Sequence, residues 1–146
     1  LQDAVAARGL GDRVQFLERR PADAMPPLFA GADALLVHLR KSELSRLVIP
    51  SKTLAYLAAE RPIIMAMTGA AADVVTAAGA GIVLPSEDPR RLVHAIELLG
   101  AMPQWERTAM GTRASAYLAA HFARDVVIPG YEATLERVAA ARGRRR

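Results

Sequence analysis

The chain has 146 residues, enough for one domain with a real core. It contains no cysteine, which excludes disulfides and thiolate metal sites, and its only histidines, His38, His94 and His121, are too scattered to suggest a metal centre. The net charge of +4 does not mark a nucleic-acid-binding body, because Arg142, Arg144, Arg145 and Arg146 carry it and leave 15 basic against 15 acidic residues elsewhere.

Residues 1–8 have helical spacing and stop at Gly9. A Gly11-Asp12 turn then leads to an expected strand at 14–17. Pro26 and Pro27 fit the first turn of a short helix over 25–30. Residues 34–39 are apolar on both faces and read as a central parallel strand. The polar, aperiodic stretch 40–49 reads as a functional loop. Ser51 is the expected N-cap of the next helix, and 62–66 the strand that follows it. A second loop at Thr68-Gly69 precedes a helix over 71–78 with Asp73 in its first turn, then a short strand at 82–84. Asp88 is placed to cap a helix running to residue 99, and Pro103 to open a long one ending near His121. Pro129-Gly130 predicts a break, with a last helix over 131–140. Alternating strands and helices imply an α/β fold: a Rossmann-like parallel sheet with helices on both faces and a helical C-terminal tail. Four strands are few for such a sheet. As the chain begins inside a helix and without Met, a preceding strand is expected to be missing.

Lys52 occupies the first turn of the Ser51 helix, where the helix dipole disfavours a cation. Two readings stand. An anion shares the site with the ammonium and the free backbone N–H groups, or Lys52 points into water at a cost of a few tenths of a kcal/mol. In a parallel sheet, strand C-termini and the N-termini of the following helices meet at one rim. Ser51, Lys52, Thr53, Thr68, Gly69 and the backbone of Ala70 and Ala71 can therefore surround one polyanion. There is no P-loop, no Gly-x-Gly-x-x-Gly and no Gly-x-Ser-x-Gly. Gly79-Ala80-Gly81 lies before a strand, not after one. His38, near a strand's C-terminal end, reads first as a structural residue and only second as a ligand-binding one.

Five stretches in order carry a resemblance. They are Gly9 to Phe16 (a "gl-x-x-x-V-x-F" run), Ala32-Asp33-Ala34-Leu35-Leu36 ("A-D-x-x-L"), Pro50-Ser51-Lys52 with its helix, the strand through Ile64, and Ala78 to Val83. Together they resemble the C-terminal, donor-binding half of a GT-B glycosyltransferase of retaining family 4. The resemblance implies transfer of a sugar from a nucleotide-diphosphate sugar to an acceptor, as in glycan or cell-surface polysaccharide assembly. It places Ser51 and Lys52 at the donor diphosphate, with Thr53 and Gly69 beside them; no catalytic residue, metal or cofactor is assigned. The family's two carboxylates, eight positions apart, fall here on Leu47 and Ala55, and Glu60 stands where the family usually has glycine. The family's acceptor-binding N-terminal domain and its Arg/Lys pair are not in this sequence. Residues 1–141 are therefore expected to form a partial Rossmann-like nucleotide-sugar-binding domain, and 142–146 a disordered basic tail. The competing expectation is a degenerate, non-catalytic half that binds a nucleotide or a protein. A related GT-B enzyme such as a sugar-nucleotide epimerase is a weaker third. The expected location is cytoplasmic, with peripheral contact to an anionic membrane through the tail as a lesser expectation. No nucleic-acid partner is expected.

Overall fold

The computed structural model describes residues 1–143. Three parallel strands, β1 (Leu35–His38), β2 (Ile63–Ala66) and β3 (Gly81–Leu84), lie in the order β1-β2-β3. Leu35, Ile63 and Gly81 are in register at one end, and His38, Ala66 and Leu84 at the other. The strand C-termini thus share one edge. Around the sheet run α1 (Gln2–Ala6), α2 (Met25–Ala30), α3 (Glu43–Leu47), α4 (Ser51–Ala58), α5 (Ala70–Ala78), α6 (Pro89–Ala101), α7 (Gln104–Phe122) and α8 (Arg124–Gly143).

The strand period of two divides the core. Val37, Ile63 and Met65 face Leu57 of α4, Val75 of α5 and Ala114 of α7. Ile64, Ala66 and Leu84 face Ala95 and Leu99 of α6. All four residues of β2 are buried, and each full burial of a side chain such as Ile63 or Leu57 stabilises the fold by about 1.5–3 kcal/mol. Helices therefore cover both faces, as the alternating pattern predicts.

Small residues and arginines lock the helices in place. Gly111 brings α7 onto the turn after α4, where an added Cβ would collide with the Glu60 carbonyl. Glu60 itself has φ 55°. Arg61 donates to the Ala30 carbonyl at the end of α2. Arg107 donates to the carbonyls of Leu99 (3.0 Å) and Met102 (2.9 Å) at the end of α6, and Arg113 to that of Gly79 (2.9 Å) at the end of α5. A guanidinium at a helix C-terminus satisfies orphan carbonyls and opposes the negative end of the dipole. Three arginines are thus committed to carbonyls of the fold itself.

Several elements differ from the sequence expectation. Residues 14–17 form no strand, because a strand needs a ladder partner and among the described residues they have none. Val14, Phe16 and Leu17 are exposed. Among the described residues β1 lies at the edge of the sheet and is not a central strand: Leu36 and His38 are exposed while Leu35 and Val37 are buried. The stretch 40–49 contains α3. The last helix is not broken at Pro129: α8 starts at Arg124 and runs through it. Proline removes the N–H that would bond the Asp125 carbonyl, but Asp125 is exposed in the first turn, where water can serve that carbonyl, and proline's fixed φ is itself helical. Asp88 does cap α6, accepting from the Arg91 N–H at 3.0 Å. Of the basic tail expected over 142–146, Arg142 and Gly143 close α8, and Arg144 to Arg146 lie outside the described residues.

Candidate functional site

The C-terminal edge of the sheet is built from three exits. After β1, α3 forms because Ser42 and Ser45 cap each other. The Ser42 hydroxyl accepts from the Ser45 N–H at 3.0 Å, and the Ser42 N–H donates to the Ser45 hydroxyl at 3.1 Å. This reciprocal box satisfies two orphan donors. Its signal, a serine three residues after a serine, is present in the sequence but was masked by the lack of a hydrophobic period. After β2, Gly69 serves as N-cap of α5 with φ 95° and ψ −158°. A Cβ there would lie 2.6 Å from Arg46 Cα, so glycine is what lets α3 rest on this turn. Between the β1 and β3 exits, Arg40 reaches Glu87 at 3.8 Å.

The third feature is the start of α4. Ser51 is not its N-cap. Pro50, extended at φ −57° and ψ 140°, is the half-in residue, and its carbonyl accepts from the Thr53 N–H at 2.8 Å. Ser51 is thereby moved to the first helical position, and among the described residues no side chain caps the turn. Its leading N–H groups are the kind of donors that helix N-termini offer to anions. Lys52 stands beside them, exposed, with no ion pair among the described residues.

Ser51, Lys52 and Ala55 line one side of a groove of about 820 Å³, with Met25 and Phe29 of α2 and Thr108 of α7 around it. Phe29 is held edge-on against Tyr56, with ring centroids 5.1 Å apart. Burial raises the Tyr56 hydroxyl above its usual pKa of 10.0. The groove joins Ser51 and Lys52 but not Thr53 or Gly69. Thr53 is fully buried, and its Oγ1 has no hydrogen-bond partner among the described residues. Gly69 sits under α3, followed by Ala70 and the buried Ala71, with Thr68 exposed. Leu47, at the end of α3, and Ala55, in the groove, are both exposed. Glu43 is engaged with Arg46 at 3.7 Å, and Glu60 lies at the groove end where α4 finishes. The α2 wall was not visible in the sequence, since nothing local in Met25 or Phe29 says which helix they will face.

A parallel sheet with helices on both faces, and with helix starts gathered at its C-terminal edge, defines a Rossmann-like domain. The sequence profile described as "Glycosyl transferases group 1" matches residues 1–101, and the chain belongs to that family. No curated protein sequence matches the chain. Among solved structures it is similar to sucrose-phosphate synthase from Thermosynechococcus elongatus, with a TM-score of 0.77 and 21% identity. The match covers 96% of this chain and 34% of that one, so the chain spans about a third of that protein's length. At this identity the likeness is one of fold.

Among the described residues no helix is long and apolar enough to cross a membrane.

Proposed function

We propose that the protein transfers a sugar, of hexose type, from a nucleotide-diphosphate sugar to an acceptor in glycan or cell-surface polysaccharide synthesis. The donor diphosphate is held at the first turn of α4. The observation that carries this reading is the uncapped turn itself, with Lys52 beside its free donors on an open groove. A leaving diphosphate gains charge as the glycosidic bond breaks, and donors fixed in advance stabilise that charge at no reorganisation cost. Ser51 and Lys52 are assigned to the phosphates. Thr53 supports the turn from beneath, and Gly69 brings the α5 start to the same edge. The acceptor is bound by a further domain of the full-length protein. Residues 1–141 act as the nucleotide-sugar half, and peripheral contact with an anionic membrane through the basic C-terminal residues belongs to the same reading.

A second reading has its own observation. Leu47 and Ala55 are exposed at the two positions where family 4 resemblance expects carboxylates, and Ala55 lines the groove. A domain without them fits a non-catalytic module that binds a nucleotide or a protein. Calorimetric titration with UDP tests the anion site: Lys52→Ala is expected to weaken binding about tenfold, and unchanged affinity refutes the site. Release of UDP from UDP-sugars by the full-length protein separates the two readings, since only the transferase turns its donor over.

A further inference from the structure

The groove beside α4 changes character along its length. At one end stand Ser51 and Lys52, assigned above to the donor phosphates. At the other stand Glu60, just past the end of α4, and Thr108 and Thr112 of α7. The packing of α7 fixes that polar end, because Gly111, between the two threonines, lies against the Glu60 carbonyl. The two ends are about 12 Å apart at helical rise.

The stretch between them is carbon. α4 contributes the exposed methyl of Ala55, one turn past Ser51, and the facing wall is Met25 and Phe29 of α2. Glu60 is the one carboxylate among the described lining residues. The Ala55 carbonyl is engaged within the turn, accepting from the Ala59 N–H at 3.1 Å. The Thr112 hydroxyl donates to the Thr108 carbonyl at 3.2 Å, and Arg61 is committed to the Ala30 carbonyl.

A nucleoside diphosphate has three parts in the same order: an anion, a pentose, and a planar base with a polar edge. With its phosphates on the first turn of α4, the pentose falls one turn along, beside Ala55. The base lies beyond it, against the Met25 and Phe29 wall. A hydroxyl that leaves water without finding a partner weakens binding, so a ribose 2′-hydroxyl gains nothing here over a hydrogen. A site that hydrogen-bonds a substrate hydroxyl rejects the analogue lacking it by orders of magnitude, whereas a wall of methyl groups has no means to do so.

We propose that the donor site does not distinguish ribose from 2′-deoxyribose, and that Ala55 is the residue that sets this indifference. The donors it accepts are nucleoside and 2′-deoxynucleoside diphosphate sugars alike. This rests on the donor reading given above and adds the class of pentose to it.

Calorimetric titration of the full-length protein with UDP and with 2′-deoxyuridine diphosphate tests this, since the two differ by one oxygen. Their dissociation constants are expected to agree within about fivefold. Ala55→Glu puts an acceptor beside the pentose and is expected to shift the preference towards UDP by at least about fivefold. Ala55 is exposed and glutamate is a good helix former, so the circular dichroism spectrum of the variant should be unchanged. UDP bound by the native protein more than about fivefold tighter than its deoxy analogue overturns the inference and leaves the donor site standing. A smaller shift in Ala55→Glu takes the pentose away from Ala55 and overturns it too. Binding of neither nucleotide removes the donor reading and this inference with it.

Discussion

Gly69→Ala is expected to destabilise the protein by about 3 kcal/mol. Two costs combine. At φ 95° and ψ −158° the backbone lies in a region that only glycine occupies without strain, worth about 1–3 kcal/mol for any other residue. The new methyl would also sit 2.6 Å from Arg46 Cα and 2.7 Å from its carbonyl carbon. Backbone cannot swing aside as a lysine tip can, so α3 must shift away from the turn, a type of overpacking that costs about 1–3 kcal/mol. Urea unfolding followed by circular dichroism measures the change. The midpoint should fall with the slope unchanged, and the melting temperature should drop by roughly 6–12 °C at 2–4 °C per kcal/mol. Gly100→Ala, where an added Cβ meets nothing within 4 Å, is the control and should not lose stability. A loss below about 0.5 kcal/mol for Gly69→Ala would mean that α3 does not rest on this turn.

Thr53→Val should stabilise the fold by about 1 kcal/mol in the same assay, because it removes a buried hydroxyl that lacks a partner while keeping the shape. A loss of more than about 1 kcal/mol, the net worth of one hydrogen bond, would show that the hydroxyl has a hidden partner. Tyr56→Phe should matter only at high pH. Burial raises the folded-state pKa of Tyr56, so the neutral form is favoured in the native protein. Its contribution is fully present below the unfolded value of about 10 and is lost as pH rises through that value towards the folded one. Stability of the native chain should therefore fall more steeply than that of Tyr56→Phe above about pH 10, and parallel profiles would refute the burial effect.

The parts of the fold visible in the sequence are those fixed by local composition. Ile63-Ile64-Met65 is apolar throughout because β2 is covered on both faces, and Asp88 before Pro89 and Arg91 marks its helix without help from elsewhere. What failed depended on partners. Leu36 reads as a core residue because it is a leucine in an apolar run, yet its exposure is set by the open side of β1. Val14 to Leu17 have strand composition but no neighbouring strand among the described residues. At the candidate site, Lys52 in the first turn was legible from spacing. The place of Ser51 was not, because Pro50 rather than the serine turns the chain into the helix. The distance between Lys52 and Gly69 in function, one in a groove and the other under α3, could only come from packing.

Among the described residues β2 is the strand shared by both halves of the core, with Ile63 and Met65 in one and Ile64 and Ala66 in the other. Neither helical layer can peel away without leaving half of that strand in water. The two sides of the domain therefore melt together, and a disturbance on the α6 face is felt on the α4 face through a ribbon four residues long.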